Sequence, residues 1–336
     1  MACAVYVSCA DSGTLETILL DEATGALEPL QTLTLGGMLM PMAVSPDRRR
    51  LYVARRSEPL AAITLAIDAA TGRLAPLDEQ ALPASMANIA TDASGRWLFA
   101  ASYGEHLVSI SPIDACGRIG AVEQVLPAVP NAHSVRATPD NRFVFATSLG
   151  SDRVLQFRFD VARGRLTPNE PAALSLPVGA GPRHLAFHPH AAWLYLLNEL
   201  DATLAACALD AQTGTLAVVQ IVRTLPEGFA GAPWAAELRL TPDGRFLYAS
   251  ERRSSTLVAF AVDTGSGRLD RVGHFATQAQ PRGFAITPSG RHLVAAGQMS
   301  GRLGVHRIDP DRGTLGLVSE RPVGGNPNWV EAVALP

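Results

Sequence analysis

Residues 183–199 read RHLAFHPHAAWLYLLNE. An alternating run, a polar turn and a second apolar run give the signature of a β-hairpin. Five further segments follow the same plan. They are PMAVSPDRRRLYVARR from Pro41, ANIATDASGRWLFAASY from Ala87, HSVRATPDNRFVFATSL from His133, AELRLTPDGRFLYASER from Ala236 and RGFAITPSGRHLVAAGQ from Arg282. Between them falls a second motif, an acid followed by a glycine, as in LDEATGAL from Leu20 and IDAATGRL from Ile67. This is turn chemistry: the aspartate bonds its own backbone and the glycine supplies positive φ. The seven turn glycines are Gly25, Gly72, Gly117, Gly164, Gly214, Gly267 and Gly313, spaced by 47, 45, 47, 50, 53 and 46 residues.

Each period therefore holds two hairpin turns and four short strands. Seven such units predict an all-β fold, a seven-bladed β-propeller of four antiparallel strands per blade. The repeat runs through the middle of the chain without a linker, so residues 1–336 are expected to form one domain. The chain opens on what resembles a second strand, VYVSCA, and finishes on a lone first strand, NWVEAVALP. Pairing the two would close the ring in a composite blade that begins near Asn328 and continues from Ala4. Such closure is expected to leave no free sheet edge, which makes a monomer the expected state.

Composition narrows the function. The chain is 47% hydrophobic and 18% charged, with a net charge of −3. That balance suits a globular core and gives no reason to expect nucleic-acid or anionic-membrane binding. The N-terminus, MACAVYVSCA, alternates like a strand and lacks a basic segment followed by a long apolar one. No signal peptide is expected. Cys3, Cys9, Cys116 and Cys207 show no metal-binding spacing, so reduced thiols in a cytoplasmic protein are the expectation.

The histidines of the opening stretch suggest a metal, but their placement argues otherwise. Arg183, His184, Asn198 and Glu199 belong to one end of the hairpin, and His188 and His190 to its turn. Four or five strand residues put roughly 13–17 Å between His184 and the turn histidines. A shared metal site is not expected, and His188 and His190 are expected to be solvated. No metal or organic cofactor is required by anything in the sequence.

The site is expected where the first strands start and the second strands end, around one mouth of the channel. First-strand starts supply Met42, Met86, His133, Arg183, Trp234, Arg282 and Trp329. Second-strand ends supply Arg56, Tyr103, Ser148, Asn198, Glu199, Glu251, Arg252 and Gln298. A purely structural repeat would favour similar residues here, yet these differ from blade to blade. Any one of these charges alone is more often a solvated surface group. Their convergence on one mouth favours function.

Several of these segments are recognisable. GPRHLAFHP with NEL, QPRGFAITPSGRHLVAAGQ, PWAAELRLTPDGRFLYASER, AHSVRATPDNR and PMAVSPDRRRLYV resemble the seven-bladed lactonase family. The similarity covers essentially the whole chain and is closest to the bacterial propeller-type 6-phosphogluconolactonases, with fungal carboxymuconate-lactonizing enzymes as more distant members. The resemblance implies a catalytic set of His133, Arg183, Glu199 and Arg282. It further implies substrate contacts at Arg56, Tyr103, Asn198, Trp234, Arg252, Gln298 and Trp329. The segments ARRSEP and SYGEHL depart from the family pattern, and the first leaves either Arg55 or Arg56 as the site arginine.

The implied reaction is hydrolysis of a phosphorylated sugar lactone, a cyclic ester, in the pentose phosphate pathway. No GxSxG elbow is present and no thiol sits at the mouth, so direct attack by water is expected. Either His133 or Glu199 would be the base. Arg183 and Arg282 would stabilise the oxyanion, and one or more of Arg56, Arg183, Arg252 and Arg282 would grip the phosphate. Two rivals remain open at this stage. One is a lactone-forming cycloisomerase that uses the same residues. The other is an interaction propeller, although the Trp-Asp and Gly-His signature of scaffold propellers is missing.

Overall fold

The computed structural model describes residues 2–127 and 129–336. Seven four-stranded antiparallel sheets are arranged around an axis. The first blade joins the two ends of the chain. Its order is β28 (Pro327–Ala334), β1 (Ala2–Cys9), β2 (Thr14–Asp21) and β3 (Leu27–Thr34). The expected composite blade is therefore present, with Tyr6 opposite Glu331 and Ser8 opposite Trp329. The other innermost strands are β4 (Leu39–Val44), β8 (Met86–Thr91), β12 (Ala132–Ala137), β16 (Pro182–Phe187), β20 (Ala235–Leu240) and β24 (Pro281–Ile286). Each packs against the innermost strand of the next blade, so together they wall the central channel. A single short 3₁₀ turn, Leu149–Ser151, is the one helical element among the described residues. No helix is long and apolar enough to cross a membrane.

Alternation explains the core. Successive strand residues point to opposite faces, and each sheet is covered on both faces by its neighbours. The middle strands are therefore apolar on both sides. The second strand of the third blade, β9 (Trp97–Ser102), shows this in the run Leu98, Phe99, Ala100 and Ala101, all essentially inaccessible. Seven apolar clusters result, each lying between adjacent blades.

The repeated Asp-Gly turns act as latches between blades. Asp68 accepts hydrogen bonds from the backbone N–H of Ala70 and Thr71, and Gly72 adopts φ +76°. The carbonyl of Gly72 then accepts from Tyr6 Oη of the preceding blade at 2.9 Å. The same bond recurs from Tyr52 to Gly117, Tyr195 to Gly267 and Tyr248 to Gly313. At the seam between the last blade and the first, the Gly25 carbonyl accepts from Ser319 Oγ at 2.5 Å, and His292 Nδ1 lies 3.3 Å from Glu22 Oε2.

The expectation that no sheet edge remains is corrected. Closure pairs β28 with β1, but every blade keeps an outermost strand with one open edge. These outer strands are largely exposed and mix polar with apolar residues, as in β7 (Leu74–Ala81) and β27 (Leu315–Pro322). In six blades the register to the outer strand is broken by a bulge, for example between Thr64 and Leu65 of the neighbouring strand. Such bulges discourage edge-to-edge pairing. A second correction concerns His188, which is buried rather than solvated. Its ring Nε2–H donates to the Gly244 carbonyl at 3.2 Å, tying its turn to the next blade. His190 is exposed, as expected.

Gly283 shows how closely the innermost strands approach. A Cβ there would lie 2.5 Å from Asn328 O on the closing strand. Gly283→Ala is expected to lower stability by about 1–3 kcal/mol, the usual cost of overpacking. Urea unfolding measures it, and an unchanged midpoint would contradict this account of the seam.

Candidate active site

Each innermost strand carries a register break against its partner, at or near the mouth. In β12, Ala132 pairs with Ser148 and Ser134 with Thr147, so His133 is the extra residue. In β16, Pro182 pairs with Asn198 and His184 with Leu197, which leaves Arg183. In β24, Pro281 pairs with Gly297 and Gly283 with Ala296, which leaves Arg282. The equivalent extra residue of β8 is Ala87. A bulge re-aims the side chain that has no partner, and three of these four positions carry the expected site residues.

Together with the second-strand ends they form a cavity of about 220 Å³, lined by Arg56, Ala87, Tyr103, His133, Glu199, Trp234, Arg252 and Arg282. Seven of these are residues expected from the sequence. Arg183 lies directly against them, with Nε 2.7 Å from Glu199 Oε2 and its guanidinium donating to the Ala236 carbonyl. The remaining expectations fall outside the lining. Asn198 is fully buried and donates to Thr203 Oγ1 within its own blade. Gln298 donates to Asn326 Oδ1. Trp329 sits deeper in the channel, 5.7 Å from the His184 ring, and donates to Glu331. None of the three reaches the cavity wall, because second-strand alternation and channel depth turn them elsewhere. The choice between Arg55 and Arg56 is resolved by direction. Arg55 turns outward to pair with Glu79 on β7, whereas Arg56 faces the cavity.

The site holds more positive charge than it balances. Glu199 Oε2 serves Arg183 and also Arg252, whose terminal nitrogen is 3.0 Å away. Arg252 further donates to the Trp234 and Ala235 carbonyls and lies 3.9 Å over the Trp234 ring. Arg56 donates to Ser85 Oγ. Arg282 Nε is buried without a partner among the described residues. Burial and then the Arg183 charge push Arg252 down to about 8, and burial, Arg183 and Arg56 push Arg282 down to about 9. Guanidinium groups keep their proton, so these shifts measure how unfavourable the cluster is without an anion. Burial alone would raise the Glu199 carboxyl, but Arg183, Arg252 and Arg282 hold it below the usual range.

His133 is pushed well below its ordinary value by burial, then by Arg183, His184, Arg282 and Arg252. It is neutral at pH 7. Its Nδ1 is buried and unpartnered, so Nε2 is the nitrogen available to a ligand. Beneath it, the His184 ring lies 5.1 Å away, with Nδ1 2.9 Å from Glu237 Oε1. His184 is expected near the mouth but without a role, and no signal in the sequence singles out Glu237. Burial of both, and the bond between them, exists only across two blades.

Comparison with known proteins agrees with the fold. A family model described as "Lactonase, 7-bladed beta-propeller" matches residues 4–332. The 6-phosphogluconolactonase of Serratia proteamaculans is 40% identical over 330 residues, covering 98% of each chain. That of Yersinia pestis strain Pestoides F is 40% identical over 327 residues, covering 97% of each. Among solved structures, the periplasmic gluconolactonase of Pseudomonas aeruginosa superposes with a TM-score of 0.92 at 30% identity over the whole of both chains. The chain belongs to the seven-bladed β-propeller lactonase family.

The His184–Glu237 pair makes stability depend on pH. Burial holds His184 at about 4 despite Glu237, while the unfolded ring titrates near 6.5. The unfolded state therefore binds the extra proton between those values, and stability is lost as pH falls from about 6.5 to 4. Thermal unfolding of His184→Phe is expected to show a shallower loss over this window than the wild type. Parallel curves would contradict the assignment.

Proposed function

We propose that the chain hydrolyses 6-phospho-glucono-1,5-lactone to 6-phosphogluconate by direct attack of water; relatives named 6-phosphogluconolactonase support the choice of substrate. The observation that carries this reading is one cavity that joins a neutral, buried histidine to an excess of guanidinium groups. A phosphate dianion offsets that excess, and a lactone needs both a base and a place for an oxyanion. The whole chain acts as one unit, because the lining draws on six of the seven blades.

The geometry favours His133 as the base. Glu199 accepts from two arginines and is held ionised by them, which leaves it poor at taking a proton. Its work is to orient Arg183 and Arg252. His133 is neutral and has Nε2 free. Water gives a proton to Nε2 as its oxygen bonds to the lactone carbonyl carbon. The ring C–O bond then breaks, and the same proton passes to the departing alkoxide. Arg282 has a buried Nε without a partner among the described residues, makes no ion pair with Glu199 and lies among the charges felt by His133, so it is assigned to the developing oxyanion. Arg56 has only Ser85 Oγ and the Met40 sulfur as partners and is assigned to the phosphate. Trp234, stacked on Arg252, and the half-exposed Tyr103 give flat walls for the sugar ring.

A cytoplasmic monomer is part of this reading. Cys116 is exposed and unpaired, which suits a reducing compartment, and the bulged outer edges suit a propeller that stays alone.

Hydrolysis of freshly prepared 6-phosphogluconolactone, corrected for the spontaneous rate, tests the assignment against unphosphorylated gluconolactone. The phosphorylated substrate should be strongly preferred. His133→Ala should lower kcat by about 10²–10⁴-fold, and Arg282→Ala by about 10²–10³-fold. No acceleration of either lactone by the wild type would overturn the proposal. Arg56→Ala should instead raise KM for the phosphorylated lactone and narrow the preference between the two. Unchanged preference would remove Arg56 from the phosphate.

A further inference from the structure

Below the cavity, the channel holds a second buried polar group that the reaction as described does not use. His184 follows the bulged Arg183 on β16 and points into the channel between His133 and Trp329, with ring centroids 5.1 and 5.7 Å away. It is 4% exposed. Its Nδ1 meets Glu237 Oε1 at 2.9 Å, and its Nε2 is buried without a partner. Glu237 is 3% exposed and firmly held. Its Oε1 also accepts from the Leu238 N–H at 3.0 Å, and Arg239 is 3.6 Å from its Oε2. The charged groups that face His133 are Arg183, Arg252 and Arg282, with the Tyr103 ring at its edge. Those that face His184 are Glu237, Arg183 and Arg136.

Hydrogen-bond roles follow from these contacts. A carboxylate can only accept, so His184 Nδ1 carries the proton and its Nε2 presents a lone pair. Two adjacent buried rings then each have one unpartnered nitrogen, His133 Nδ1 and His184 Nε2. Buried ring nitrogens are seldom left unpaired. The two nitrogens are not bonded to each other in the structure, but they complement one another if His133 is protonated at Nδ1, and rings 5.1 Å apart can be brought into a bond by rotation of either ring.

We propose that the His184–Glu237 pair is the positioning element of the site: it fixes His133 as the Nδ1–H tautomer and so presents an unprotonated Nε2 to the cavity. Glu237 sets the tautomer of His184, and His184 sets that of His133. When His133 takes the proton of water at Nε2, its Nδ1–H remains bonded toward His184. That proton returns to the alkoxide from Nε2, so no net proton passes down the channel and His184 stays neutral throughout. The logic is that of a carboxylate orienting a histidine base, extended by one imidazole. The kinetic consequence rests on the hydrolytic reading above, but the tautomer does not.

The test therefore has two readouts. Nitrogen-15 NMR of the full-length protein, with imidazole signals assigned through His133→Gln, reports the tautomer of His133 without turnover. In the wild type, His133 should be protonated at Nδ1 and unprotonated at Nε2. His184→Phe keeps the ring and removes the acceptor. It should give a mixture of tautomers and lower kcat roughly 10- to 100-fold at nearly constant KM. His184→Gln restores an acceptor oxygen near the lost Nε2 and should recover much of both. Glu237→Met removes the acceptor of the His184 Nδ1 proton and should release the tautomer in the same way, which covers the case in which the phenylalanine variant does not fold. The proposal is overturned if His133 keeps its tautomer in a folded His184→Phe or in Glu237→Met. It is also overturned if the Phe and Gln variants at 184 lose kcat equally, since a purely structural role predicts that. A wild type that hydrolyses no lactone would sink the hydrolytic reading and leave the NMR result to decide this one.

Discussion

The site depends on one backbone device, an extra residue at the mouth end of the innermost strands. A regular strand would point alternate side chains at the neighbouring blades and bury them in apolar clusters. The unpaired residue escapes that alternation and faces the channel mouth. His133, Arg183 and Arg282 all occupy this place. Ala87 occupies it in the third blade and leaves room in the cavity. The ring thus repeats a structural irregularity and varies the residue placed on it.

That device needs a rigid ring, and two kinds of contact supply it. The first is apolar burial between blades, which is large but not directional. The second is the set of hydroxyl-to-carbonyl bonds that runs from one blade to the next through the turn glycines. These bonds set the angle between neighbours, which burial alone does not. The seam has to do the same without a covalent link between the first and last strands. Asn328 does part of this, donating to the Ser8 and Leu39 carbonyls on the strands either side.

Rigidity also makes the charge arrangement tolerable. Burying four arginines around Glu199, with Glu237 and Glu105 near some of them, is unfavourable unless each retains several hydrogen bonds or contacts. Arg183 and Arg252 are held by Glu199 and by backbone carbonyls. The less satisfied Arg282 and Arg56 are the ones left to a ligand. On the proposed reading, an anionic ligand would supply the partners that these two arginines lack.

Much of this was legible in the sequence. The period of the Asp-Gly turns determined the number of blades, and alternation within each hairpin determined four strands per blade. The unmatched strands at the two ends determined where the ring closes. These are local signals, carried by residues near one another in the chain. Position within the repeat also collected the mouth residues, and seven of the expected set line the cavity. Direction was not legible. Asn198, Gln298 and Trp329 share those positions yet turn away, and His188 is buried where a solvated turn was expected. Arg55 and Arg56 could be separated only when one was seen to meet Glu79 on an outer strand. The His184–Glu237 bond likewise joins residues 53 positions apart on different blades. The sequence by itself determined the fold and the mouth at which chemistry is placed, because both follow from repeated local patterns. Only the tertiary structure decided which side chains meet there and in what protonation state, because bulges, packing between blades and burial act on pairs that the chain keeps far apart.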